Sequence, residues 1–245
     1  MPLETLAAAA AVLLLTYTVF GLTGFGSTAL AVPLLVHVLP LRYVVPMLLI
    51  LDLVASLLVS GRGRRGLRYD EIGRVAPFMV AGLLLGLTLL IGVPEQPLII
   101  VLGLFLVVYA AYGLSGRGGP IALAAWWCAP FGLVSGAFAS MFGNGGAILA
   151  LYFSGRLRAK EELRATSAAM VLLNGGVRVV LFALAGLLAQ DGLLGSAAIL
   201  LVPALAGLYL GNRLHQRVSV ERVLQAVYAV VALAGVSLLV RAAMV

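Results

Sequence analysis

Long apolar runs separated by short basic connections organise this chain. Glu95 is the sole charged residue between Val75 and Gly116, and none lies between Gly118 and Gly155. Arg178 stands alone from Ala165 to Gln190, and Gly192 to Asn212 carries no charge. A helix needs about 20 apolar residues to cross the hydrocarbon of a bilayer, and these runs reach or exceed that length. They lack the strict alternation of barrel strands, and in lipid only helices and closed barrels satisfy their own backbone. The pattern therefore predicts helices over about 6–39 (broken), 43–60, 72–92, 97–115, 121–154 (broken), 163–189, 193–212 and 220–241.

The connections carry the basic residues. One holds Arg62, Arg64, Arg65, Arg68 and Arg74, a second Arg156, Arg158, Lys160 and Arg164, and a third Arg213, Arg217 and Arg222, with Arg117 a weaker fourth. The positive-inside rule places all four in the cytoplasm. Arg117 and the Arg156–Arg164 connection flank a single apolar block, so one plain crossing would put them on opposite faces. The block is interrupted by Met141-Phe142-Gly143-Asn144-Gly145-Gly146, and two half-helices that enter and leave by the same face remove the conflict. The 6–39 block has its own glycine break and reads the same way. Each half then holds a hairpin and three full spans, an odd number, which inverts the second half relative to the first. The expected fold is an all-α integral membrane protein of two inverted-topology repeats, residues 1–116 and 117–245. Each repeat is a broken, re-entrant-like helical hairpin plus three transmembrane helices, and the two form one membrane domain.

Composition agrees and narrows the classes. The 245 residues are 63% hydrophobic and 10% charged, where soluble domains are nearer a quarter charged. The net charge of +7 marks cytoplasmic connections here, and no nucleic-acid partner is implied. A lone cysteine, Cys128, excludes an intramolecular disulfide, and two histidines, His37 and His215, make no metal cluster. No cofactor is called for, and no phosphate-binding G-x-x-x-x-G-K-[ST] motif is present.

The halves also match in order. Gly24-Phe25-Gly26-Ser27 pairs with Gly143-Asn144-Gly145-Gly146, Leu41-Arg42 with Leu163-Arg164, and Asp52 with Asn174. Gly82 and Gly86 pair with Gly207 and Gly211, and Glu95 and Leu98 with Glu221 and Leu224. The offset drifts upward from 119 to 126, as small loop insertions would make it. Inverted repeats with discontinuous helices are the architecture of many secondary transporters, with substrate held at the breaks near the midplane.

Candidate substrate-binding residues follow from the breaks: Gly24, Phe25, Gly26, Ser27 and Thr28 in the first, and Gly143, Asn144, Gly145 and Gly146 in the second. Glycine lets a ligand approach backbone N–H groups closely, and half-helix N-termini favour anions; tight helix packing is the competing use of such glycines. That second use is preferred for Gly82, Gly86, Gly207 and Gly211. Asp52 and Arg178 each fall in the middle of an apolar helix, where either costs about 2.5–3.5 kcal/mol to insert. Asn174 and Arg178 share a helix face at i, i+4, and the repeat places Asp52 across from it. Two readings stand open. In one, Asn174 and Arg178 bind an anion and Asp52 is the proton-coupling group. In the other, Asp52 and Arg178 form a structural ion pair. His37, Trp126 and Trp127 read as interfacial residues, Cys128 as a small buried side chain, and the loop arginines as topology markers.

The two glycine-rich breaks, the tandem halves and the basic central loop resemble the sulfite exporter TauE/SafE family over nearly the whole chain. Ser27-Thr28 stands where a longer glycine run is common in that family, and Tyr152 where a proline is usual; Pro33 follows the first break as the pattern expects. The resemblance implies a secondary transporter, not an enzyme, exporting sulfur-containing anions such as sulfite or sulfoacetate across the cytoplasmic (inner) membrane by alternating access. Its partners would be a small anionic substrate and membrane lipid, and a homodimer is compatible with it. An anion channel or a subunit of a membrane assembly would also use glycine-rich breaks. An intramembrane enzyme is disfavoured because Asp52, His37 and Arg178 are scattered over both halves.

Overall fold

The computed structural model describes residues 3–23, 27–59, 66–115, 123–157, 159–214 and 220–244. Among them the secondary structure is helical, without strands. In order the helices are α1 (Leu3–Thr23), α2 (Ser27–Leu35), α3 (Leu41–Val59), α4 (Tyr69–Gly92), α5 (Glu95–Leu114), α6 (Cys128–Phe142), α7 (Gly145–Arg156), α8 (Lys160–Leu184), α9 (Leu193–Leu214) and α10 (Val220–Ala243). A single 3-10 turn, Ala125–Trp127, leads into α6.

Eight of these helices, α6 counted with its leading turn, are long and apolar enough to cross a membrane. The exceptions are α2 and α7, of 9 and 12 residues. At 1.5 Å per residue they rise about 14 and about 18 Å, well short of a hydrocarbon layer about 30 Å thick. The second long apolar block breaks where its glycines stand: α6 ends at Phe142 before α7 begins at Gly145; the break expected at Gly24-Phe25-Gly26 lies outside the described residues. Helix α8 stops at Leu184, short of the expected 189, because the chain folds back on itself. The Gly186 and Leu187 N–H groups bond to the Ala183 and Phe182 carbonyls at 3.1 and 2.9 Å. Large side chains such as Val202 and Leu233, each 71% exposed, cover the outside of the helices. In water such a surface would aggregate, and lipid is the solvent that accommodates it.

The chain packs as two compact units, each assembled from both ends of the sequence. The first comprises Met1–Leu51, Val93–Gly118 and Ala189–Val245. In it α1 lies along α9, and α5 along α10. Gly207 and Gly211 of α9 sit against the Leu14 and Thr18 carbonyl oxygens, so close that a Cβ at either glycine would overlap them. The start of α3 is capped within this unit. The Leu41 N–H donates to the Glu95 carboxylate at 3.0 Å, and Arg42 Nη2 to the Val93 carbonyl at 2.9 Å. Glu95, the lone acid of its apolar run, is thus a helix cap, worth about 1 kcal/mol where side chains cap N-termini.

The second unit comprises Asp52–Gly92 and Gly119–Leu188. Here α4 lies along α6, with α7 against α6 and α8. Gly82 and Gly86 of α4 sit on the Leu133 and Ala137 carbonyls, and Gly132 and Gly136 of α6 approach the Val75 and Met79 carbonyls. Ser140 Oγ donates to the Leu83 carbonyl at 2.8 Å across the same crossing. The core beneath it includes Val75, Met79, Leu83, Leu149, Tyr152, Phe153 and Met170. These glycines pack backbone on backbone, which small residues permit where lipid supplies no hydrophobic drive between helices.

Overpacking such a crossing costs about 1–3 kcal/mol. Gly86→Val in α4 is expected to lower the unfolding temperature of the detergent-purified protein by several degrees. Gly195→Ala in α9, where a Cβ meets nothing within 4 Å, is expected to leave it unchanged. Equal unfolding temperatures for the two variants would show that the α4–α6 crossing is looser than described.

Candidate functional site

The α6–α7 tip is built by one left-handed residue. Gly143 ends α6 with φ 77°, and its N–H bonds to the Ala139 carbonyl at 2.9 Å; a side chain there would be strained. Asn144 follows as the residue before α7 and is buried, 4% exposed. The first turn of α7 offers N–H groups that have no intrahelical acceptor and carry the positive end of the helix dipole. The two following glycines differ. Gly145 has no spare room: a Cβ would overlap the Ser135 carbonyl, and Ser135 Oγ donates to the Gly145 carbonyl at 2.8 Å. Gly146 is exposed, and its Cβ would meet only Val171 Cγ2, at 3.9 Å. The packing reading of these glycines therefore describes Gly145, while Gly146 is exposed and not pressed by a neighbouring backbone.

That contact with Val171 sets the register of α7 on α8. Asn174, Gly175 and Arg178 follow Val171 at i+3, i+4 and i+7, one face of the helix. Asn174 and Arg178 are buried, 8% and 5% exposed. Gly175 accommodates Leu53 of α3, the neighbour of Asp52. Asp52 itself is half-buried and lies within Coulomb reach of Arg178. The Arg178 guanidinium lies over the ring of Phe182, 5.2 Å from its centroid, and Phe182 is fully buried. A cation–π contact engages the guanidinium plane and leaves its N–H edges to other partners.

Those edges are unmatched. Among the described residues the buried side-chain nitrogens and oxygens without a hydrogen-bond partner are three: Arg178 Nε, Arg178 Nη2 and Asn144 Nδ2. Leaving a buried donor unpaired costs about 1–3 kcal/mol, more when it is charged. All three belong to residues singled out from the sequence, and all three donate. Asp52 lies within Coulomb reach of the guanidinium, while its Nε and Nη2 have no hydrogen-bond partner.

Ser27 and Thr28 occupy the first turn of α2, buried and half-buried, and belong to the first unit, whereas Asp52, Gly143–Gly146, Asn174 and Arg178 belong to the second. Gly24, Phe25 and Gly26 lie outside the described residues. His37 is exposed at the end of α2, as an interfacial histidine would be. Its Nδ1 donates to the Pro33 carbonyl at 2.8 Å, and its Nε2 is hydrogen-bonded to the Ser237 hydroxyl at 3.0 Å. Trp126 and Trp127 stack at 4.4 Å, Trp126 being 63% exposed. One cluster escaped the sequence reading. Glu71, buried in α4, accepts from Tyr152 and Arg156 of α7. Arg156 is more than a topology marker, and its i, i+4 spacing from Tyr152 was the available signal.

Eight helices of crossing length, apolar outside, make this a multi-pass membrane protein, and its family is one of membrane transporters rather than enzymes. The chain belongs to the sulfite exporter TauE/SafE family, whose family model, described as "Sulfite exporter TauE/SafE", matches residues 9–238. It is also similar to the "Probable inner membrane transporter protein TsaS" of Comamonas testosteroni, 28% identical over 194 residues that cover 78% of this chain and 81% of that one. No solved structure matches the chain.

The contrast at the tip is testable. Gly145→Ala is expected to destabilise the hairpin by about 1–3 kcal/mol and to lower the yield of folded protein. Gly146→Ala is expected to fold normally and to reduce transport at least fivefold by filling the space before the α7 N-terminus. Full transport by Gly146→Ala would remove that space from the site.

Proposed function

We propose that the protein exports small sulfur-containing anions, with sulfite or sulfoacetate as the size class, by alternating access of two inverted repeats. The carrying observation is the set of unmatched donors, because Arg178 Nε and Nη2 and Asn144 Nδ2 are what a tetrahedral or pyramidal oxyanion would accept from. Arg178 supplies fixed positive charge, Asn144, Asn174 and the first turn of α7 supply neutral donors, and the Phe182 ring holds the guanidinium edge-on to the ligand. In the sequence repeat, Gly24-Phe25-Gly26, Ser27 and Thr28 are the positions of the first half that correspond to this tip. Asp52, beside Arg178, takes up a proton in one state and releases it in the other, so that anion and proton move in step.

The family description supports the anion class. Packing supports the repeats at residues 1–116 and 117–245. Gly82 and Gly86 rest on the Leu133 and Ala137 carbonyls in one unit, as Gly207 and Gly211 rest on Leu14 and Thr18 in the other. Leu14 and Thr18 precede Leu133 and Ala137 by the same 119 positions that separate Gly24 from Gly143. Two crossings between corresponding positions, the carbonyl partners offset by 119 and the glycines by 125, are the contact pattern that a duplicated unit produces.

In proteoliposomes loaded with sulfite, Arg178→Ala is expected to abolish saturable flux while the folded protein stays in the membrane; full flux would sink the anion site. Asp52→Asn is expected to flatten the dependence of flux on an imposed proton gradient. An unchanged pH profile would remove Asp52 as the coupling group.

A further inference from the structure

The second unit holds a buried carboxylate that the transport site does not use. Glu71 lies in the first turn of α4 with its side chain 3% exposed. Both of its oxygens are occupied. The Tyr152 hydroxyl donates to Oε2 at 2.8 Å, and Arg156 donates to Oε1 through Nη2 at 2.6 Å and Nε at 3.2 Å. Arg74 Nη1 reaches Oε1 at 3.3 Å from the exposed side. Arg156 Nη1 also donates to the Leu123 carbonyl at 3.2 Å, and the Leu123 N–H donates to the Gly155 carbonyl at 3.1 Å. The C-terminal end of α7 is thus tied both to α4 and to the segment that leads into α6.

Helix α7 is a short rod of 12 residues. One end carries Gly145 and Gly146, and the other carries Tyr152 and Arg156. A rod this short transmits a tilt at one end to the other, because its backbone bonds are internal. The first hairpin has no counterpart to this tie: 119 positions earlier, Pro33 stands for Tyr152 and His37 for Arg156. Pro33 has no side-chain donor, and His37 bonds Ser237 of α10 instead. The tie is therefore particular to the hairpin whose unit also holds Asn174 and Arg178.

We propose that Glu71 is a positioning residue of the transport site. It grips the C-terminal end of α7 through Tyr152 and Arg156 and so sets where the α7 N-terminus stands against Val171 and the Asn174–Arg178 face. The inference rests on reading that N-terminus as part of the anion site, but its test does not depend on transport. A thiol is introduced by Gly146→Cys, where a side chain meets only Val171, in a Cys128→Ala background. Its rate of alkylation by N-ethylmaleimide is measured in membranes. Adding Glu71→Gln, or separately Tyr152→Phe, is expected to change that rate at least fivefold and at least twofold, respectively. A thiol at Leu184→Cys, at the far end of α8, is expected to react at the same rate in every background. In the chain with its native Gly146, Glu71→Gln is expected to raise the sulfite concentration for half-maximal flux at least fivefold, with the maximal flux per folded protein within twofold. Unchanged G146C alkylation in both variants would overturn the proposal, as would an equal change at L184C, which would mark a general loosening. If alkylation shifts at G146C alone while the parent protein carries no sulfite, the positioning role stands and the anion reading falls.

Discussion

Lipid offers no hydrogen bonds, and every feature of this molecule that is not a plain helix answers to that fact. A broken helix inside a bilayer exposes backbone donors and acceptors that would each cost several kilocalories per mole if left to hydrocarbon. The α6–α7 tip meets the constraint from within. The left-handed Gly143 turns the Ala139 carbonyl onto its own N–H, and Ser135 closes on the Gly145 carbonyl. What those bonds leave over is the first turn of α7, a cluster of donors held in place by a fold that has satisfied its acceptors.

The same reasoning explains why Arg178 is informative. Isolated in a helix centre, an arginine costs about 2.5–3.5 kcal/mol on insertion scales, and a protein normally recovers this by ion pairing. Here the aromatic face of Phe182 and the nearby charge of Asp52 recover part of it, and two nitrogens remain unmatched. Glu71 shows the contrasting solution in the same unit. Its buried charge is saturated by a tyrosine and two arginines, which is how a charge is buried for structure. A saturated carboxylate and an unsaturated guanidinium, both buried, thus differ in their hydrogen bonding rather than in their burial.

Much of this was legible in the residue order. Sparse charge and run length located the crossing helices, and the clash between Arg117 and the Arg156 loop exposed the break at Gly143-Asn144 before any coordinates were needed. Asn174 and Arg178 could be placed on one face because helical periodicity is reliable over seven residues. Other features depend on distances that a linear pattern does not carry. Nothing in the spacing of Glu71 and Arg156, 85 positions apart, says that they meet, and a basic loop residue is more often a topology signal. The different duties of Gly145 and Gly146 were hidden for the same reason: one presses on Ser135 and the other faces open space, a distinction made by a neighbouring helix.

The glycine crossings carry a consequence for how the chain is made. Helix α1 leaves the ribosome well before its backbone partner α9, whose glycines 207 and 211 are synthesised almost two hundred residues later. Helix α4 waits a shorter time for α6. The nascent protein must therefore hold α1 in the bilayer with a bare, closely packable stripe, shielded only by lipid or by the insertion machinery, until most of the sequence has been threaded. The second unit can close around α4 and α6 while the first is still incomplete. Neither crossing, α1–α9 nor α4–α6, has both partners on one side of the connection between α5 and α6, so a gene divided there would have to reunite its two products in the membrane to recover either one.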